Sequence, residues 1–198
     1  MRYTGPKWRI NRRESYTVLG SSEKWRKHSS LPGQFPVLKK RPSEYNTQLR
    51  EKQKVKRLYG LTEKQFRRFF NLAVNKKGNT GLILLQLLES RLDNVVYRLG
   101  FATTRAQARQ FVNHGFVTLN SKKNDIPSTI VKVGDTIELK DKILSSPTMT
   151  LIKSNIKNEL VIPWLKPLVK GGVILSLPQR EDIDMDINER LIIELYSR

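Results

Sequence analysis

The sequence predicts an α+β fold: an extended basic arm (1–42), a helical lobe (43–90, completed by 159–198), and a small module (91–158) of two helices packed on a short antiparallel sheet. Three observations predict it. Apolar side chains recur at helical spacing across 62–99, between capping residues and glycine stops. Residues 116–139 alternate in the manner of half-buried strands around a turn. Residues 1–42 carry four of the nine prolines and little apolar period, so they lack a core of their own and are expected to order against a partner.

Within the arm, Arg2, Lys7, Arg9, Arg12 and Arg13 form one positive cluster, and Lys39, Lys40 and Arg41 form a second before Pro42. Trp8 and Trp25 stand among Lys7, Arg9, Lys24 and Arg26, a pattern that suits stacking on bases beside phosphate contacts and equally suits indoles tucked against the folded lobe. Ser43 then opens a helix that runs to about Tyr59 and stops at Gly60. Arg50, Lys54 and Arg57 line one side of it as a candidate phosphate-contacting face. Thr62 and Gln65 make a capping box, after which Phe66, Phe69, Phe70, Ala73 and Val74 fall on one core-facing stripe. Arg67, Arg68, Lys76 and Lys77 lie off the stripe and stay available to a polyanion.

Gly78 stops this helix and Thr80 can cap the next, which continues toward Gly100 with a shared helix or a bend near Glu89. Leu88, Leu92, Val95, Val96 and Leu99 give its second half a buried face. Thr104 and Gln107 cap a further helix whose Ala108, Phe111 and Val112 point inward until Gly115. Arg105, Arg109 and Asn113 share the opposite face at i, i+4 and i+8, where they read either as a solvated basic surface or as a line of groups for successive phosphates. His114 follows at the helix end, better suited to an RNA contact or local packing than to service as a base. FVTLN alternates as a strand, residues 121–124 form a turn with Lys122 and Lys123 at its tip, and VGDTIELKD supplies the partner strand. Residues 141–158 show no clear period and read as the exit from the module. The remainder is expected to return to the helical lobe, ending in a short helix or strand.

Charge narrows the function further. The chain holds 37 Lys and Arg against 18 Asp and Glu, a net charge of +19, and 21 of those cations lie in residues 1–80. RNA, DNA or an anionic membrane surface are the partners such a surplus calls for. No apolar run is long enough to span a bilayer, so no membrane partner is expected from a transmembrane segment. With no cysteine and only His28 and His114, neither a disulfide framework nor a zinc site is expected. The acidic run Glu181, Asp182, Asp184 and Asp186 fails as a calcium loop, because Ile187 and Ile193 stand where that loop needs glycine and glutamate. It reads as an extended segment with an acidic outer face. No nucleotide or nucleophile motif is present, so no catalytic residue, metal ligand or cofactor is expected.

Residues 88–115 closely resemble the S4-type RNA-binding module. Leu88, Arg91, Leu92, Asp93, Tyr97, Arg98, Gly100 and Phe101 match its first helix and turn, and Arg105, Gln107, Ala108, Arg109 and Val112 match its second helix. The likeness extends along the chain through RYTGPKWR at 2–9, PSEYNTQLREKQKVKRLYG at 42–60, KKGNTG at 76–81, DIPS at 125–128 and NERLIIELYSR at the C-terminus. By these blocks the sequence resembles the family of the fourth protein of the small ribosomal subunit, of bacterial or organellar type. The basic start superficially resembles a transit peptide, but it also resembles the mature start of this family and is treated as retained. Some members hold a zinc-binding cysteine cluster in the arm, which this chain cannot form. At the module's turn the family reads Asn-Gly, whereas Asn120-Ser121 stands here and removes the glycine that a primed turn favours.

The resemblance implies a non-enzymatic primary binder of 16S-type ribosomal RNA that helps nucleate assembly of the subunit body and affects translational accuracy. It further implies a place beside the fifth small-subunit protein and near the point where mRNA enters, in a bacterial cytoplasm or plastid stroma, with no homo-oligomer. An RNA-modifying enzyme carrying the same module, or a free RNA chaperone or repressor, is the alternative.

Overall fold

The computed structural model describes residues 3, 5–18, 31–33, 43–155, 162–183 and 186–197. Among these residues the helices are, in order, α1 (Lys7–Glu14), α2 (Glu44–Leu58), α3 (Glu63–Val74), α4 (Thr80–Glu89), α5 (Leu92–Arg98), α6 (Arg105–Asn113), α7 (Asp141–Leu144), α8 (Pro147–Asn155) and α9 (Glu189–Ser197). Strands β1 (Val117–Leu119), β2 (Lys122–Lys123) and β3 (Thr136–Leu139) precede α7, and β4 (Leu165–Pro167) and β5 (Gly171–Ile174) follow α8. The chain divides into two units, residues 1–81 with 185–198 and residues 82–184. Among the described residues no helix is long and apolar enough to cross a membrane.

In the first unit the helix starts form as their capping residues dictate. The Ser43 hydroxyl accepts the Asn46 amide at the head of α2, and Thr62 and Gln65 close a reciprocal capping box on α3. Phe66, Phe69, Phe70 and Ala73 are buried, whereas Val74, the last residue of α3, is exposed. Helix α9 packs on α2 and buries Ile192, and its Tyr196 ring stacks on Phe70 at 4.5 Å between centroids. The Tyr196 hydroxyl donates to Glu63 at 3.0 Å, and Lys52 and Lys56 donate to the same carboxylate at 2.7 and 2.8 Å. Partial burial pushes the Glu63 carboxyl up, but these three donors outweigh it and hold its pKa at about 2. Burial, followed by the charge of Glu63, pushes the Tyr196 phenol well above its usual range.

The arm departs from the extended reading where it is described. Residues 7–14 form α1, a helix that turns Ile10 and Asn11 inward against α2. Asn11 Oδ1 accepts the Val18 amide at 3.1 Å, which folds the chain back after the helix end. Burial pushes the enclosed Glu14 carboxyl up, against the pull of the Arg50 and Arg57 guanidiniums that clasp it.

In the second unit the expected bend near Glu89 is a break at Ser90 and Arg91. The Ser90 hydroxyl donates back to the Gln86 carbonyl at 2.7 Å, and Arg91 takes extended angles (φ −73°, ψ 137°) and bridges to Ile130. Arg91 offers α5 no side-chain cap, so the Leu92 and Asp93 amides donate to the carbonyls of Thr129 (2.9 Å) and Pro127 (3.2 Å). Gly100, at φ 78°, stops this segment, and α6 and the sheet then close one core around Val95, Val96, Phe111, Val112, Ile137 and Trp164.

The sheet is antiparallel throughout, in the order β2-β1-β3-β5-β4. The expectation that the tail from 159 returns to the helical lobe is therefore corrected for 165–174, which completes the sheet as β4 and β5. Gly171 permits this, because a Cβ there would collide with the Ile137 backbone across the ladder. Residues 141–155, read as an exit without a period, form α7 and α8 and bury Ile143, Met149 and Ile152. The acidic stretch is not wholly extended either: residues 180–182 form a 3-10 turn, and Ile183 and Ile187 are buried.

The β1–β2 turn keeps its primed geometry without glycine. Asn120 and Ser121 both have positive φ (50° and 64°) between the paired Leu119 and Lys122, so Lys122 and Lys123 belong to a strand and not to the turn tip. Asn120 holds the strained turn, donating to Asp135 at 2.8 Å and accepting the Thr136 amide at 2.9 Å.

Two measurements follow from this packing. Ser121→Gly relieves the left-handed strain at that position and is expected to raise the unfolding free energy by about 0.5 kcal/mol in a urea titration. Glu63 has a depressed pKa, so its stabilisation is complete above its ordinary value of 4.5 and disappears as pH falls through about 2. The stability difference between the protein and Glu63→Gln should close over that window, by roughly 1 kcal/mol once screening of the 47% exposed side chain is allowed for.

Candidate nucleic-acid interface

The cations of the first unit divide into those that hold the fold and those that face outward. Arg50 and Arg57 both reach the buried Glu14, Arg50 at 3.1 Å, and Lys54 donates to the Asp186 carbonyl at 2.6 Å and pairs with Glu51 at 2.9 Å. The Lys54 ammonium also lies 5.4 Å from the centre of the Tyr16 ring. The row on α2 therefore anchors α1 and the segment before α9 while keeping part of each arginine on the surface. Lys7, Arg9 and Arg13 on α1 are exposed, Arg12 is half-buried, and Trp8 is exposed beside them. Arg67 and Arg68 on α3 and Lys76 and Lys77 after it are exposed, and among the described residues no carboxylate forms an ion pair with any of the four. Lys64 joins them on α3, a residue the core-stripe argument passed over although its spacing from Arg68 places both on one face. Arg2, Trp25, Lys39, Lys40 and Arg41 lie outside the described residues.

The second unit treats its arginines differently. Arg105 and Arg109 sit at the start and middle of α6, where Thr104 caps the helix by accepting the Gln107 amide and Gln107 accepts from Thr103. Instead of standing free in solvent, both guanidiniums lean onto the α4–α5 corner. Arg109 donates to Asp93 from Nε at 2.8 Å and from a terminal nitrogen at 2.7 Å, and Arg91 shares the same carboxylate at 2.8 Å. Arg105 donates to Asn94 at 2.8 Å, approaches Glu89 at 4.0 Å and lies over the Tyr97 ring at 4.6 Å. Glu89 is bound in turn by Arg98 at 2.7 and 2.9 Å and by Asn94 at 2.7 Å. Charge counting alone missed Glu89 and Asp93; two acids inside the most arginine-dense part of the module were the available signal.

Asn113 and His114 are exposed at the end of α6, and Lys122 and Lys123 are exposed on the neighbouring strand. The Lys123 stem crosses Gly115, where an added Cβ would collide with it, which gathers Lys123 with His114 and Asn113 at one end of α6. Among the described residues no group of three His, Asp or Glu is placed to hold a metal ion.

A module of two helices on a small sheet, with cations gathered along one helix and at its end, defines a basic RNA-binding protein. The family model described as the ribosomal protein S4/S9 N-terminal domain matches residues 2–89, and that of the S4 domain matches residues 90–137. The two meet at the Ser90 break. The chain is 49% identical over 206 residues to a protein of Acetivibrio thermocellus, and 46% identical over 210 residues to ones of Herpetosiphon aurantiacus and Thermus thermophilus. Each is called small ribosomal subunit protein uS4, and each comparison covers 100% of this chain and 99% of the relative. The chain belongs to the uS4 family of small ribosomal subunit proteins.

Glu89 is 1% exposed and supports Arg98 and Asn94 together, so its loss leaves buried donors without their acceptor. Glu89→Ala is expected to lower the unfolding free energy by about 3 kcal/mol in denaturant titration.

Proposed function

We propose that this protein is a structural constituent of the small ribosomal subunit, a primary binder of 16S-type ribosomal RNA. In that reading it helps nucleate assembly of the subunit body and supports translational accuracy, beside the fifth small-subunit protein and near the point where mRNA enters. A bacterial cytoplasm or a plastid stroma is the setting; the bacterial relatives favour the first. The proposed RNA contacts come from the arm 1–42, the helical lobe and the module, each of which carries candidate cations.

The observation that carries the reading is the exposed set Arg67, Arg68, Lys76 and Lys77, which finds no counter-ion among the described residues of a chain with net charge +19. Such groups gain little from folding and much from displacing the ions condensed on a polyphosphate backbone. The alternative of an RNA-modifying enzyme gains no support from the relatives, which carry the name of a ribosomal protein.

Binding of small-subunit ribosomal RNA should weaken steeply with salt, with a logarithmic slope of about 0.7–0.9 per phosphate neutralised. Replacing Arg67, Arg68, Lys76 and Lys77 together with Ala should lower that slope by about 3 and leave the unfolding free energy within about 0.5 kcal/mol. A salt response that is flat from the start would contradict the reading.

A further inference from the structure

Two buried carboxylates lie beneath the arginines of α6, and core packing does not explain them. Asp93 and Glu89 come from the α4–α5 corner, and their side chains are 6% and 1% exposed. The apolar contacts of Val95 and Val96 with Ala108, Phe111 and Val112 already hold α5 and α6 together. An apolar pair in place of the ion pairs would do that job without the desolvation that buried charges require. What the carboxylates add is direction. Asp93 takes two donors of the Arg109 fork and fixes its plane, and Asn94, itself held by Glu89, fixes Arg105 over the Tyr97 ring. The Arg105 and Arg109 side chains nevertheless remain 17% and 20% exposed, so each presents an edge of fixed orientation to whatever lies against α6.

We propose that Asp93 and Glu89 are positioning residues for RNA recognition: they order Arg109 and Arg105 before binding, so that α6 selects a folded RNA site over a generic duplex. The inference rests on the RNA-binding reading above. A flexible arginine finds a phosphate on any duplex and loses rotamer freedom each time it does. A guanidinium already fixed avoids that loss only where the phosphates or base edges of the site fall in its plane. Selectivity, more than affinity, is therefore the quantity that the buried acids control.

The test uses the full chain and two RNAs of equal length, a small-subunit ribosomal RNA fragment and an unrelated duplex, at one ionic strength. Asp93→Asn keeps the size of the side chain and removes its charge. It is expected to lower the ratio of the two affinities about tenfold, through weaker binding of the ribosomal fragment, while duplex binding holds or rises with the added net charge. Arg109→Gln introduced into Asp93→Asn should then weaken binding of both RNAs alike and lower the ratio little further, because a loosened arginine meets either RNA equally well. Tyr97→Leu withdraws the ring beneath Arg105 without burying a charge, so it remains readable if Asp93→Asn fails to fold; it should lower the ratio about threefold. An unchanged ratio in the folded variants, or equal losses on both RNAs, would overturn the positioning role. A wild-type chain that does not bind the ribosomal fragment at all would instead overturn the RNA-binding reading itself.

Discussion

Repulsion among 37 cations in 198 residues is the force this fold has to contain, and the described residues show carboxylates at three of the junctions where basic segments pack. Glu14 sits where α1 meets Arg50 and Arg57 of α2. Glu63 sits where the head of α3 meets Lys52 and Lys56 of α2 and Tyr196 of α9. Glu89 and Asp93 sit where the α4–α5 corner meets α6. Isolated exposed ion pairs contribute little, but three of these four acids are buried and each binds two or more donors, which is the arrangement in which such pairs matter.

This sparing placement sorts the cations. An arginine at a packing junction has an internal counter-ion that fixes its position, whereas Arg67, Arg68, Lys76 and Lys77 are exposed and, among the described residues, pair with no carboxylate. Lys54 and Arg57, which sequence spacing groups with the phosphate-facing residues, belong to the first class as well. The same residue type on neighbouring helices thus meets two surroundings, and position relative to the carboxylates decides which.

Local signals were legible in the sequence, and long-range ones were not. The Thr62 and Gln65 capping box, the Phe66, Phe69 and Phe70 stripe and the stop at Gly100 are written within a few residues of one another, and each forms as read. The partnership of Glu14 with Arg50 spans 36 residues and that of Glu63 with Tyr196 spans 133, so nothing in a short window announces either. Helix α1 was hidden by its own composition, since its cations mask the inward Ile10 and Asn11. The break at Ser90 was visible only as an ambiguity, because it depends on a carbonyl four residues back and on the loop around Thr129 and Ile130. Likewise the candidate site was legible as a collection of cations, and their division into anchored and outward groups required the fold.

The position of β5 between β3 and β4 carries a consequence for synthesis. Strands β1, β2 and β3 are complete by Leu139, yet the second edge of β3 is satisfied by residues 170–174. While the ribosome adds the intervening thirty or so residues, at about 5–20 per second, a nascent chain holds that edge open for some seconds. An open edge is a template for pairing with a stranger. The exposed Glu138 at the centre of β3, and the flanking Lys140 and Asp141, put charge along this edge during the interval, a guard whose usefulness ends once Gly171 slides against Ile137.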